Sequence, residues 1–390
     1  MKLRLTYCLP FILLLTAFAA AQVPCNPTAL PKATLFVSWP QFRYDAQHTG
    51  CNPYETVLST ATVGGLVVDW TYPTAGSVYG DPVVANGLVY FSSVSPDNTL
   101  YAVNASTGTL VWKQVGQATF TSPLVVNGVV YAGLANDPGG VYAFNASTGD
   151  LLWQYTTVSI VESAPAIANG VLYVGDGRGY LYAINASTGT LLWSYAVPSD
   201  EIDTSPAVAN GVIYFVAVNP IYPDWSTTLY ALNASTHQVI WQYQWPYAIG
   251  GLPVVASGKV FVNSTAFNAN TGALLYVAPV TFFSIPALSN GVVYVGSDDN
   301  NVYALNANTG AIKWSFRTGD FVASSPAIAN GVVYVESDDG NFYALNASTG
   351  APLWQYTVSN YAASGPAVAN GLVYIGSEDN TLYTFHLPGH

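Results

Sequence analysis

A block of about 41 residues recurs through most of this 390-residue chain, and that periodicity constrains the fold more than any other feature. The block reads Pro-x-(Val/Ile)-x-Asn-Gly-x-(Val/Leu)-Tyr, then a short polar turn, then Leu-Tyr-Ala-x-Asn-Ala-Ser-Thr-Gly-x-x-x-Trp. Its leading proline falls at Pro82, Pro123, Pro165, Pro206, Pro253, Pro286, Pro326 and Pro366, which makes eight units. The spacings are 41, 42, 41, 47, 33, 40 and 40, so the fourth and fifth units alone depart from the period.

Each unit decodes into four strands. In the seventh, Ser325 to Ala329 is strand a, and Asn330-Gly331 is a two-residue hairpin signal, because both residues tolerate positive φ. Val332 to Glu336 is strand b, Asp338-Asp339-Gly340 a turn, Phe342 to Leu345 strand c, and Leu353 to Val358 strand d. Four antiparallel strands per repeat of this length predict an all-β fold, an eight-bladed β-propeller. The eighth unit ends at Thr381 to Phe385 without its Trp segment, and Val67 to Tyr72 matches the missing piece. An N-terminal strand is therefore expected to complete the last blade and close the ring, removing the open sheet edges.

The once-per-unit tryptophans are Trp70, Trp112, Trp153, Trp193, Trp241, Trp314 and Trp354, with Tyr276 in the fifth unit. Such regularity predicts packing between blades, since a ligand site uses one or two residues.

The chain divides into a leader (1–21), a strap (22–62) and the propeller (63–390). Lys2 and Arg4, an apolar run from Leu9 to Phe18 and Ala19-Ala20-Ala21 have the form of a cleavable signal peptide, with a retained anchor as the alternative. Pro24 before Cys25 argues against a lipoprotein cysteine. Cleavage implies a secreted or periplasmic protein with no membrane span in the mature chain. It removes Cys8 and leaves Cys25 and Cys51, which are expected to pair in an oxidising compartment; two free thiols are the alternative. It also removes two of the 9 basic residues against 21 acidic ones, so the mature chain is strongly negative and repels nucleic acid.

Strand order sends the d–a connections and b–c turns to one face, called top, and the Asn-Gly and Asn-Ala-Ser-Thr-Gly turns to the bottom. Most acidic residues then lie on top, where Asp as a turn former accounts for the b–c set. The residue two before each proline is small, as at Gly80, Ser163 and Ser324. The residue three before varies: Tyr79, Phe120, Glu162, Asp203, Gly250, Phe283, Ala323 and Ala363. That position starts strand a at the top mouth of the channel. Tyr79, Phe120, Glu162, Asp203 and Phe283 are therefore candidate binding residues, with a plain water-filled funnel as the alternative. His48, His237, His386 and His390 have no metal-ligand spacing, and no metal site is expected. Arg43, Asp45 and His48 are expected to hold the strap against the ring, with a polar site of their own as the alternative. The Asn-x-Ser sequons at Asn104, Asn145, Asn185, Asn233 and Asn346 and the Asn-x-Thr sequon at Asn263 read as turn residues first, with glycosylation in a eukaryotic host as the alternative.

The Ala-x-Asn-Ala-Ser-Thr-Gly-x-x-x-Trp motif, as in Ala183 to Trp193, resembles the repeats of the pyrroloquinoline-quinone (PQQ) propeller family over roughly residues 63 to 385. Trp39-Pro40-Gln41-Phe42-Arg43-Tyr44-Asp45-Ala46-Gln47-His48-Thr49-Gly50 resembles the lead-in of many such proteins. The resemblance implies either a quinoprotein dehydrogenase holding PQQ and Ca²⁺ in the propeller mouth, or a non-catalytic, protein-binding member of the cell envelope. The chain lacks the adjacent Cys-Cys pair of many dehydrogenases and their long insertions. The expectation is a monomeric, non-enzymatic scaffold without a cofactor, whose partner is an envelope or extracellular protein, a basic one being favoured by charge. A small oxidoreductase using PQQ and Ca²⁺ is the alternative.

Overall fold

The computed structural model of the protein describes residues 38–197, 200–221, 225–247, 251–358 and 364–389. The leader, Cys25, Gly250, Ala363 and His390 lie outside the described residues. The rest forms eight antiparallel sheets of the predicted a-b-c-d order. In the seventh blade these are Ala327–Ala329, Val332–Glu336, Asn341–Asn346 and Pro352–Thr357. The a–b hairpins carry positive φ at both central residues, 43° at Asn330 and 79° at Gly331, which is the twist-matched turn that Asn-Gly favours. The c–d turn is capped locally: Asn346 Oδ1 accepts from the backbone N–H of Ser348 (2.9 Å) and Thr349 (3.2 Å). The same bonds recur at Asn104, Asn145, Asn185 and Asn233, so these asparagines shape turns.

The ring closes as expected. Val67–Pro73 pairs antiparallel with Thr381–His386 and supplies strand d of the eighth blade. The inner strands of the first and eighth blades are neighbours.

The outer tryptophans bind blade to blade. Four indoles lie over the c–d turn of the next blade and donate Nε1–H to its alanine carbonyl: Trp112 to Ala146 (2.8 Å), Trp153 to Ala186 (3.0 Å), Trp241 to Ala269 (2.8 Å) and Trp314 to Ala347 (3.0 Å). The strand b tyrosine hydroxyl joins the same acceptor, as Tyr131 does at Ala186 (3.0 Å). The turn glycine leaves room for the ring, since a Cβ at Gly189 would lie 2.6 Å from Trp153. Tyr276 repeats the latch with its hydroxyl on Ala307, and Trp354 and Trp70 donate to Leu66 and Ala105 across the closing seam. Where His237 replaces that glycine, its ring meets Trp193 with centroids 4.4 Å apart.

The strap takes a path the sequence did not disclose, along the inner wall of the channel. Strand a bonds to strand b on one edge only, so its other edge presents backbone donors to the axis. Strap carbonyls take these up in order around the ring. Val84 donates to Trp39 (2.8 Å), Val125 to Pro40 (2.7 Å), Val208 to Ala46 (2.6 Å), Val255 to Gln47 (2.9 Å), Leu288 to Thr49 (2.9 Å) and Ile328 to Gly50 (2.8 Å). Cys51–Asn52 then runs parallel to Ala327–Ala329, and Asn52 Nδ2 donates to Val368 O (2.7 Å). Beyond it the chain leaves at the bottom face, where Leu58 and Glu55 accept from Asn330 and Gly371.

Candidate functional site

Most of the acidity of the top face is turn chemistry. The b–c turn aspartate accepts a hydrogen bond from the strand c tyrosine in blade after blade: Tyr101 to Asp97 (2.7 Å), Tyr182 to Asp176 (2.8 Å), Tyr303 to Asp299 (2.6 Å), Tyr343 to Asp339 (2.7 Å) and Tyr383 to Asp379 (2.7 Å). At Asp97 burial alone would raise the pKa, but the bonds from Tyr101, Ser93 and Thr99 outweigh it and hold the carboxyl below its usual range. These groups are satisfied and build loops.

The mouth is different. The hydroxyl two residues before the proline ties the lead-in to strand b, as Ser163 Oγ does by accepting from Gly175 N (3.0 Å) and Ser284 Oγ by accepting from Gly296 N (2.8 Å). Small size at this position therefore has a hydrogen-bonding reason as well as a steric one. The preceding residue is then fixed at the rim. Glu162 is exposed and Asp203 half-buried. Glu201 is held by reciprocal backbone bonds to Val218 (2.8 and 2.9 Å). Burial, then the charges of Glu201 and Glu162, push the Asp203 carboxyl up to about 6, and its Oδ1 is a buried acceptor without a hydrogen-bond partner. A half-buried carboxyl raised by two neighbouring acids marks a place where a cation would be favoured.

The other rim candidates separate. Tyr79 is 49% exposed and donates its hydroxyl to Glu378, in the b–c turn of the neighbouring eighth blade. Phe283 is 53% exposed and faces Phe321, with ring centroids 6.1 Å apart. Phe120 does not line the mouth. Its backbone bridges Leu134, and the ring, 4% exposed, packs edge-on against Tyr142 and Phe144 inside the blade. No group of three or more His, Cys, Asp or Glu placed to hold a metal occurs among the described residues.

Beneath the mouth Arg43 ties the strap to the ring as expected, and its charged neighbour there, Asp81, is the residue that sequence reasoning missed. Arg43 is fully buried and donates from Nη1 to Ser325 O (3.1 Å) and from Nη2 to Pro326 O. It faces Asp81, whose Oδ1 accepts from Gly365 N (2.7 Å). The residue before the proline forms a ring of contacts between blades, in which Ser122, Ser205 and Ser325 each accept a backbone N–H from the preceding blade. Asp81 takes that serine role with an added charge. The available signal was this column of residues, in which Asp81 is the sole acid. Burial lowers Arg43 to about 10 and raises Asp81 to about 6, so dehydration outweighs the mutual attraction in both. Gly365 sits between them: a Cβ there would lie 2.8 Å from Asp81 Oδ2 and 3.2 Å from Arg43 Nη1. Of the other two strap residues, His48 meets the ring as expected and Asp45 does not. Asp45 folds the strap on itself by accepting from Thr49 N (2.9 Å) and Gln47 N (3.1 Å). His48, lowered to about 4 by burial, donates Nδ1–H to Pro253 O (3.0 Å).

A ring of eight sheets, latched by tryptophans and closed by its N-terminal strand, defines a PQQ-type propeller. The family model described as outer membrane protein assembly factor BamB matches residues 55–161, 139–275 and 263–382, and the chain belongs to that family. No curated protein matches the chain by sequence. Among solved structures it is similar to a europium-containing methanol dehydrogenase, at 15% identity and a TM-score of 0.76 over 90% of this chain and 98% of the other. It is similar to the quinohemoprotein alcohol dehydrogenase of Comamonas testosteroni, at 16% identity and a TM-score of 0.74 over 91% and 81%. It is also similar to BamB of Moraxella catarrhalis, at 17% identity and a TM-score of 0.66 over 82% and 99%. At these identities the likeness is one of fold.

Proposed function

We propose that the chain is a non-enzymatic, exported scaffold propeller that binds an envelope or extracellular protein by receiving a Lys or Arg side chain at the top mouth. The carrying observation is the Glu162, Glu201 and Asp203 set, in which one Asp203 oxygen is buried without a hydrogen-bond partner among the described residues. A guest cation at the rim would relieve the repulsion among the three carboxylates. The family match supports a protein-binding role over a catalytic one.

The quinoprotein reading fits the residues poorly. PQQ is a polyanion that needs a cation beside it, and no group of three or more His, Cys, Asp or Glu placed to hold a metal occurs among the described residues. The cation inside the channel, Arg43, is already committed to two carbonyls and Asp81. No chemical step is derived through the cofactor.

The test is binding of a short Lys/Arg-rich peptide to the full chain by calorimetry, beside a pull-down from envelope extract. The double variant Glu162→Gln, Asp203→Asn should bind the peptide at least about tenfold more weakly, and added salt should weaken the parent likewise. Equal binding and equal recovery of every partner by both proteins would sink the reading. Reduction of a dye by the parent loaded with PQQ and Ca²⁺ would favour the quinoprotein instead.

A further inference from the structure

The fifth blade departs from the repeat in a way that opens the top face. Its strands b and c, Lys259–Val262 and Thr265–Asn268, are joined by Asn263 and Ser264 alone. The fourth blade beside it carries Val212–Asn219 and Ser226–Asn233, the longest pair among the described strands. The shortened turn also lacks the aspartate–tyrosine lock of its siblings, with Thr265 where they have tyrosine. A low blade beside a tall one leaves a cleft of about 680 Å³, within the range of small-molecule sites.

The lining of this cleft is unlike the rest of the top face. Trp245 and Tyr247 come from the end of the fourth blade, Asn263 and Thr265 from the short hairpin, and Thr281 and Phe283 from the lead-in to the sixth. None of the lining residues is charged, in a chain of net charge −12. Tyr247 and Phe283 are 56% and 53% exposed, so two large rings stand open to solvent. Asn263 turns its amide toward Gly251, where a Cβ would lie 2.2 Å from Oδ1, so this glycine is what admits the asparagine.

Each feature narrows the ligand. A charged ligand would lose its hydration and find no counter-charge. A wholly apolar one would bury the Asn263 amide and the Thr281 hydroxyl without partners. The lining suits a molecule that presents flat C–H faces to aromatic rings and hydroxyls to amide and hydroxyl groups along one surface. We propose that the fifth-blade cleft binds a neutral saccharide, stacked on Tyr247 and Phe283 and hydrogen-bonded by Asn263 and Thr281. This site is separate from the acidic mouth and does not depend on it.

The test uses the full chain and a panel of neutral oligosaccharides (gluco-, manno- and chito-configured) beside the anionic oligogalacturonates, read by intrinsic fluorescence and calorimetry. At least one neutral sugar should bind saturably, and no anionic one should bind more tightly. Tyr247→Ala and Phe283→Ala should each weaken binding about three- to tenfold, the share of one stacked ring. Asn263→Ala should do the same, while Lys313→Ala on the outer strand of the sixth blade should change nothing. Far-UV dichroism and melting establish that each variant is folded, and the exposed Tyr247 serves as the variant least able to disturb the fold. Absence of saturable binding by every neutral sugar, preference for the anionic ones, or undiminished binding by folded Tyr247→Ala and Phe283→Ala would each overturn the proposal.

Discussion

Replacing Arg43 by methionine tests whether the strap is a keystone or a passenger. Arg43 sits wholly inside the channel, gives two hydrogen bonds to the seventh blade and faces Asp81 of the first. Met keeps the stem and removes the charge and both donors. Breaking a buried charge interaction by deleting one partner costs about 3–5 kcal/mol, because the other charge is left dehydrated. Asp81→Ser alone should also destabilise, since it leaves Arg43 with Asp45 as its remaining counter-charge in the strap. The pair together should do far less damage, within about 1.5 kcal/mol of the parent, because serine is what Ser122, Ser205 and Ser325 already supply at this position. The pH dependence has a definite sign. Asp81 is raised to about 6 in the folded protein from an ordinary 3.8, so folding takes up a proton between those values, and stability falls as pH rises through them. Without Arg43 the attraction that restrains this rise is gone, so Arg43→Met should lose more at pH 8 than at pH 5. The assay is denaturant unfolding of the four proteins at both pH values, comparing midpoints at constant slope. Additive losses in the double variant, or a deficit independent of pH, would refute the coupling.

Two further outcomes follow from the rim and the strap. Asp203 is raised to about 6 mainly by burial and then by Glu201 and Glu162, so its charge opposes folding above that pH and ceases to as pH falls through it. Asp203→Asn should therefore melt slightly above the parent at pH 7.5 and level with it near pH 4.5, by less than about 1 kcal/mol because the group is partly solvated; a variant less stable than the parent at pH 7.5 contradicts this. Cys25 and Cys51 should appear as one linked peptide pair on non-reducing mass mapping, closing a loop worth about 3–4 kcal/mol in the chain-entropy model; two alkylatable thiols in protein from its native compartment would exclude the bridge.

The ring was legible because its determinants are local and repeated. Asn330-Gly331 dictates a hairpin whatever lies around it, and the Trp at a fixed offset dictates how the next blade docks. The strand d segment of the eighth blade was found by the same rule, since Asp69-Trp70-Thr71-Tyr72 repeats its siblings although it lies at the other end of the chain. The strap has no sibling. Its path depends on the unpaired inner edges of several strands at once, a property of the assembled ring that no short stretch encodes. Arg43 therefore read as a residue that ties the strap to the ring, while its meeting with Asp81 stayed hidden.

The rim was half legible for a related reason. Counting back from the proline finds the residue that begins strand a, but not the direction of its side chain. Glu162 stays in the solvent because water stabilises its carboxylate there, and Asp203 is half-buried at the same level. At Phe120 the same backbone position turns the ring inward, where Tyr142 and Phe144 offer an apolar contact that the funnel does not. Chemistry, and not register, decides which way a rim residue faces. The fifth blade extends the point. Its 33-residue spacing was visible as an irregularity, but a deletion acquires consequence only beside the long strands of the fourth blade. Losing a turn aspartate, its tyrosine and a few residues of strand removed charge and height at one place. Where each repeat reinforces its neighbour, the departures that persist mark where the surface has something other than the fold to serve.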